Sequence, residues 1–288
     1  MAFVSRNPLI ERIEGMAEAT IRAAFARAKS EGRAAFAPYV MLGYPDAETS
    51  IALAQAIAGA GADVFELGVP FSDPLAEGVT IQHASQRALE QGTTLEKCLD
   101  MARAIADTTD VPLAFMGYYN PFLQMGLDVA CERMAAAGVS GLIIPDVPVE
   151  EASVLIAAGK AHGVNTIFLV TPTSPDERIT RIAEAAHKAE SGFIYCVSLS
   201  GVTGARDELR PELPAFVGRV RRWVGDLPLC IGFGIAQPRH AVAVAQIADG
   251  IAVGSALINA FDHAPDGEGI TAVATLARSL RDAARKNV

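Results

Sequence analysis

The stretch Asp63–Gly78, DVFELGVPFSDPLAEG, decides the reading of this chain. Val64, Phe65, Leu67 and Val69 make the apolar, partly β-branched run of a parallel strand covered on both faces. Glu66 stands in its middle, where burial disfavours a charged carboxylate unless a partner offsets the cost. After Gly68 the chain breaks at Pro70, and Phe71-Ser72-Asp73-Pro74 has the composition of a loop rich in turns. One acid on a rigid strand and a second, Asp73, on the loop above it can work at two ends of one small molecule, with pKa values set apart by their surroundings. The alternative is structural: a core glutamate held by a hydrogen bond and an aspartate that caps a helix.

Outward from this strand, strands and helices alternate. The expected strands are Phe36–Leu42, Asp63–Val69, Val111–Met116, Ser140–Ile144, Asn165–Val170, Gly192–Val197, Pro228–Gly232 and Gly250–Val253. Helical spacing predicts segments near Leu95–Ala106, Leu123–Ala137, Glu150–His162, Glu177–Lys188, Gln237–Ile247 and Gly269–Lys286, with a short turn over Ser255–Ala260. Arg6–Ser30 reads as an amphipathic helix ahead of the first strand, placed to plug one end of the sheet. Eight strands, each followed by helix, with right-handed parallel crossovers, predict an α/β protein: one (β/α)8 TIM barrel over residues 1–288 with an extra N-terminal helix. A doubly wound sheet would need a glycine fingerprint after its first strand, and Gly43-Tyr44-Pro45 is not one.

Composition narrows the function. The net charge of −9, from 24 Lys+Arg against 33 Asp+Glu, with no basic run, argues against a nucleic-acid surface. The opening MAFVSRNPLIERIEG lacks a signal-peptide core, and no apolar run reaches membrane-spanning length. Cys98, Cys131, Cys196 and Cys230 do not have metal-ligand spacing and read as reduced thiols of a cytoplasmic protein. The five lysines and five histidines fall outside the strands, so neither a Schiff-base nucleophile nor a histidine metal site is expected. His83, nearest the Asp73 loop, reads as a helix-surface residue.

In such barrels chemistry sits where the strands end. Glu66 is the one carboxylate in the strand interiors. Opposite it come three groups of glycines: Gly201-Val202-Thr203-Gly204 after strand six, Gly232-Phe233-Gly234 after strand seven, and Gly254-Ser255 after strand eight. Glycine lets backbone N–H groups approach phosphate oxygens, and a helix N-terminus favours the anion. Tyr39, Tyr118, Ile143, Tyr195 and Phe233 would line an apolar slot between the cup and the acids. The expected substrate carries phosphate at one end and a flat apolar group at the other.

The run Glu66-Leu67-Gly68-Val69-Pro70-Phe71-Ser72-Asp73-Pro74-Leu75-Ala76 resembles the signature of the tryptophan synthase α subunit family. So do Pro145-Asp146-Val147-Pro148, Gly201-Val202-Thr203-Gly204 and Gly232-Phe233-Gly234-Ile235, in order, between about Phe36 and Ala260. The resemblance implies a lyase that cleaves indole-3-glycerol phosphate to indole and glyceraldehyde 3-phosphate. It also implies a β subunit partner in an α2β2 heterotetramer, and no cofactor or metal. Carried over by position, Glu66 and Asp73 match the family's catalytic carboxylates and Tyr195 its active-site tyrosine. Gly204, Gly234 and Ser255 match phosphate-binding positions, with Gly254 beside them. Glu77 stands where aspartate is usual, Tyr39 where some members have phenylalanine, and Leu199 where arginine is frequent. The loops Pro70–Gly78 and Ser198–Pro211 are long for their class and are expected to act as lids. Rival readings are a stand-alone indole-releasing lyase, another phosphosugar isomerase or epimerase, and a regulatory barrel with a decayed site.

Overall fold

The computed structural model describes residues 20–198, 211–232 and 234–286. The first helix, α1 (Ile21–Ser30), starts where Thr20 caps it: the residue is extended, and its hydroxyl oxygen accepts from the Ala23 amide at 3.1 Å. The helix expected over Arg6–Ser30 therefore does not run through Thr20, and residues 6–19 lie outside the described residues. Strand β1 (Ala35–Met41) leads to α2 (Ala47–Gly59), and β2 (Phe65–Gly68) to α3 (Val79–Glu90) and α4 (Leu95–Ala106). Next come β3 (Leu113–Met116), α5 (Tyr119–Met125) and α6 (Leu127–Ala136), then β4 (Val139–Ile143), a 3-10 turn (Val149–Glu151) and α7 (Ser153–His162). Strands β5 (Asn165–Ile167) and β6 (Leu169–Val170) precede α8 (Asp176–Lys188), and β7 (Ile194–Val197) precedes α9 (Leu213–Val224). The series ends with β8 (Leu229–Gly232), α10 (Pro238–Ala245), β9 (Gly250–Val253), α11 (Ser255–Asp262) and α12 (Gly269–Ala283).

Every strand pair is parallel, in the order β5-β4-β3-β2-β1-β9-β8-β7-β6. The two ends of that order are the halves of the expected fifth strand, Asn165–Val170. They part at Phe168 because the first half pairs with β4 and the second with β7. Their continuity in the chain closes the sheet into a barrel. Two other expectations change. The helix expected over Leu123–Ala137 is two helices, broken at Gly126, whose φ of +87° a side chain would resist. The turn expected over Ser255–Ala260 is the helix α11. Among the described residues no helix is long and apolar enough to cross a membrane. All four cysteines are free and buried.

The barrel is plugged from below. A Cβ on Gly141 would lie 2.5 Å from Ile21, and one on Gly250 2.6 Å from Phe25. Only glycines leave α1 room there, and Phe25 packs on Phe193 at 5.1 Å between ring centres, the rings tilted by 32°. Just before β2, buried Asp63 accepts both terminal nitrogens of Arg33 and the Phe36 amide, the last at 2.8 Å. This paired charge fixes the entry of the strand that carries Glu66.

Candidate active site

Alternation along the strands decides which side chains face the barrel interior. Val64, just before β2, and Glu66 and Gly68 on it face inward, while Phe65 and Leu67 join the outer layer under the helices. Glu66 is 1% exposed, so its carboxyl is held in the barrel by the strand itself. Across the barrel on β7, the Tyr195 hydroxyl donates to Glu66 Oε2 at 3.4 Å, and Oε1 has no hydrogen-bond partner. Burial pushes Glu66 up to about 8; the Tyr195 bond opposes this and the charge of Glu77 adds to it. The acid is therefore mostly protonated at neutral pH, yet close enough to its midpoint to give and take a proton.

The second carboxylate of the mouth is Glu77. Its Oε2 is buried without a partner, and burial raises the group to about 7. Its charge bears on Glu66, Tyr39, Tyr118 and Tyr195, which line the strand ends. Asp73, expected in this role, is exposed, and its Oδ2 accepts from the Ser72 hydroxyl at 2.5 Å. The loop accounts for the difference. Phe71 exchanges two 2.9 Å hydrogen bonds with Ser85 and stacks on Tyr118 at 5.0 Å, and the Tyr118 hydroxyl accepts from the Ala76 amide at 2.8 Å. These ties curl the loop so that its tip, with Asp73 and Leu75, faces out and Glu77 turns in. Spacing along a turn-rich loop carries no such direction. The signal for Glu77 in the sequence is that it stands where the family it resembles usually has aspartate.

The remaining expected residues fall as follows. Tyr39, Tyr195 and Ile143 are buried together in the barrel interior. Tyr118 lies at the rim with its hydroxyl engaged by the loop. Gly234 has a φ of +82° and open space where a side chain would project. Gly254 precedes α11, whose first residue is Ser255, and supplies no side-chain cap to the helix's opening amides. Gly204, Phe233 and Leu199 lie outside the described residues, as does most of the loop over Ser198–Pro211. His83 is exposed on α3, edge-on to Tyr44. Among the described residues no three His, Cys, Asp or Glu side chains come together as a metal site.

Buried Glu66 on β2 and the half-buried Glu77 of the loop above it, with its Oε2 sequestered, define a class: (β/α)8-barrel enzymes with proton chemistry at the barrel mouth. Comparison with known proteins makes the family specific. A family model described as Tryptophan synthase alpha chain matches residues 25–285. The tryptophan synthase alpha chain of Roseiflexus sp. (strain RS-1) is 53% identical over 258 residues, 89% of this chain and 97% of the relative. That of Chloroflexus aggregans is 47% identical, over 91% and 97% of the two chains. A crystal structure of the alpha chain from Legionella pneumophila superposes with a TM-score of 0.82 at 36% identity, covering 91% of this chain and 96% of that one. A structure of Mycobacterium tuberculosis tryptophan synthase gives 0.83 at 37% identity, covering 92% and 98%. This chain belongs to the tryptophan synthase alpha chain family. It is a lyase-type enzyme subunit with the α-subunit role in tryptophan biosynthesis.

Proposed function

We propose that this chain, acting as one (β/α)8 unit in the cytoplasm, cleaves indole-3-glycerol phosphate to indole and glyceraldehyde 3-phosphate. The observation that carries the reading is the pair of uncompensated carboxyls, Glu66 and Glu77, at the mouth. In the reaction, ring carbon C3 gains a proton, the adjacent side-chain hydroxyl loses one, and the bond between them breaks. The hydroxyl carbon becomes the aldehyde, and the bonding electrons return to the ring. Glu66, protonated, delivers the proton to C3; as carboxylate it then takes the hydroxyl proton, so the acid is regenerated. Glu77 as an anion stabilises the positive charge that develops at the ring N–H. Asp73, the residue expected there from sequence, is left to shape the loop. Tyr195 orients Glu66, and Tyr39 and Ile143 bound the slot for the indole, with Phe233 the further lining residue expected from the sequence. The phosphate is taken through backbone amides at Gly234 and at the opening of α11, Gly254 and Ser255, with Gly204 the further position that the sequence resemblance implies.

The partner in this reading is a tryptophan synthase β subunit in an α2β2 complex. Leu75, 90% exposed at the tip of the loop after β2, gives that face an apolar contact above the site. The test is indole release from indole-3-glycerol phosphate by the purified chain with a β subunit. The parent should turn over, and Glu66→Gln should be slower by about a hundredfold or more, the scale of lost acid–base catalysis. Turnover by Glu66→Gln near the parent rate removes Glu66 from its role.

A further inference from the structure

Tyr39 joins the two halves of the mouth. It pairs in register with Glu66 across β1 and β2, and leans over the next strand. Its hydroxyl lies 2.0 Å from where a Cβ on Gly68 would stand. Gly68 is two residues beyond Glu66 on the same strand face, so the hydroxyl sits directly above the catalytic acid. At its other end, the Tyr39 Cβ is 3.3 Å from where a Cβ on Gly254 would stand, at the entry to α11. Tyr195 repeats this arrangement: its hydroxyl lies 2.2 Å from the Cβ position of Gly232 and donates to Glu66. The Tyr39 hydroxyl is less well used. It is buried, and its hydrogen-bond partner among the described residues is the Met41 thioether at 3.8 Å, a weak acceptor. A cavity of about 20 Å³ beside Tyr39 is lined by Met41, Tyr44, Leu257, Ile258 and Phe261 among others.

We propose that Tyr39 is a positioning residue for the acid pair: its hydroxyl leaves the Met41 sulfur and donates to the Glu77 carboxylate when that acid ionises, holding the anion over the ring slot. The inference rests on the reading of Glu77 as the second working carboxylate. A Cβ on Gly254 would meet both the Tyr39 Cβ at 3.3 Å and Ile81 Cδ1 at 3.4 Å, so the first turn of α3, which Glu77 leads into, packs beside Tyr39. In keeping with this, the Glu77 charge bears on the Tyr39 phenol ahead of Glu66, Tyr118 and Cys98. The ionisable groups around the acids are Glu66 on β2, Tyr39 on β1, Tyr195 on β7, Cys230 on β8 and Tyr118 at the rim, and no lysine or arginine among the described residues bears on either acid. An ionised Glu77 thus depends on neutral donors, and Tyr195 is already committed to Glu66.

Carbon-13 NMR of the free chain labelled at the glutamate δ-carbon, with the Glu77 resonance assigned by its loss in Glu77→Gln, reads the ionisation directly. Tyr39→Phe should raise the Glu77 midpoint by about one pH unit, a tenfold change in proton affinity, as expected for losing a hydrogen bond to a charged group. Tyr195→Phe should move the Glu66 resonance instead. Met41→Leu, which removes the competing acceptor, should shift the Glu77 midpoint downward. A Glu77 midpoint unmoved by Tyr39→Phe, or raised by Met41→Leu, overturns the inference. The titration needs neither substrate nor turnover, so it is independent of the reaction assay. A shifted midpoint in an inactive chain keeps the role of Tyr39 and removes the proposed reaction. An unmoved midpoint in an active chain removes Tyr39 alone.

Discussion

At the scale of single residues, the barrel spends stability on its chemistry. Glu66 titrates near 8 in the folded chain, against 4.5 for a free carboxyl. Between those two values the unfolded chain has lost its proton while the folded chain keeps it, so stability falls as pH rises from about 4.5 to 8 and levels off above. The loss is on the order of 1.4 kcal/mol for each pH unit of that window. Glu66→Gln abolishes this titration. Its Tm should match the parent's near pH 4.5 and exceed it by roughly 5 °C or more at pH 8.5, measured by calorimetry across pH. Equal Tm values at high pH would mean that Glu66 is compensated. Glu66 was legible in the sequence because a lone acid in an apolar strand has few innocent explanations. Glu77 was not, because its inward direction comes from Tyr118 and Ser85, which hold the loop from 42 and 14 residues away in sequence.

At the scale of elements, continuous apolar runs revealed every barrel strand to within a few residues, because parallel strands are buried on both faces. What the pattern could not reveal was where a strand or helix is interrupted. Phe168 divides the fifth strand through its choice of partners, and Gly126 divides a helix through its backbone; neither leaves a mark on hydrophobic spacing. The opening of α11 shows the same limit, since eight residues resemble a turn until they are seen packed. This element carries its own prediction. Gly234→Val should weaken glycerol phosphate binding strongly, because the φ of +82° disfavours a side chain and the open space beside it would be filled. Ser255→Ala should weaken it by a smaller factor, since the backbone amides remain. Calorimetric titration measures both, and equal affinity in parent and Gly234→Val would remove Gly234 from the phosphate site.

At the scale of the whole molecule, the barrel is closed below by α1 and carries the loop after β2 above. The loop after β2 carries both an inward acid, Glu77, and an outward apolar tip, Leu75, two residues apart. A β subunit that favours one arrangement of this loop would change lyase rate by shifting an equilibrium the chain already has. By linkage, a glycerol phosphate analogue must then tighten β-subunit binding by the factor by which β tightens the analogue. Titrating the chain with β, with and without the analogue, should show both effects; their joint absence would leave a lyase that acts alone. The claim on which the account turns is that the working pair is Glu66 with Glu77, set by how the barrel buries them. The direct measurement is kcat for indole-3-glycerol phosphate cleavage by Glu77→Gln and Asp73→Asn, side by side with β present. The account predicts a loss of about a hundredfold or more in Glu77→Gln and at most a few-fold in Asp73→Asn. The reverse order, with Asp73→Asn crippled and Glu77→Gln near the parent, would contradict it.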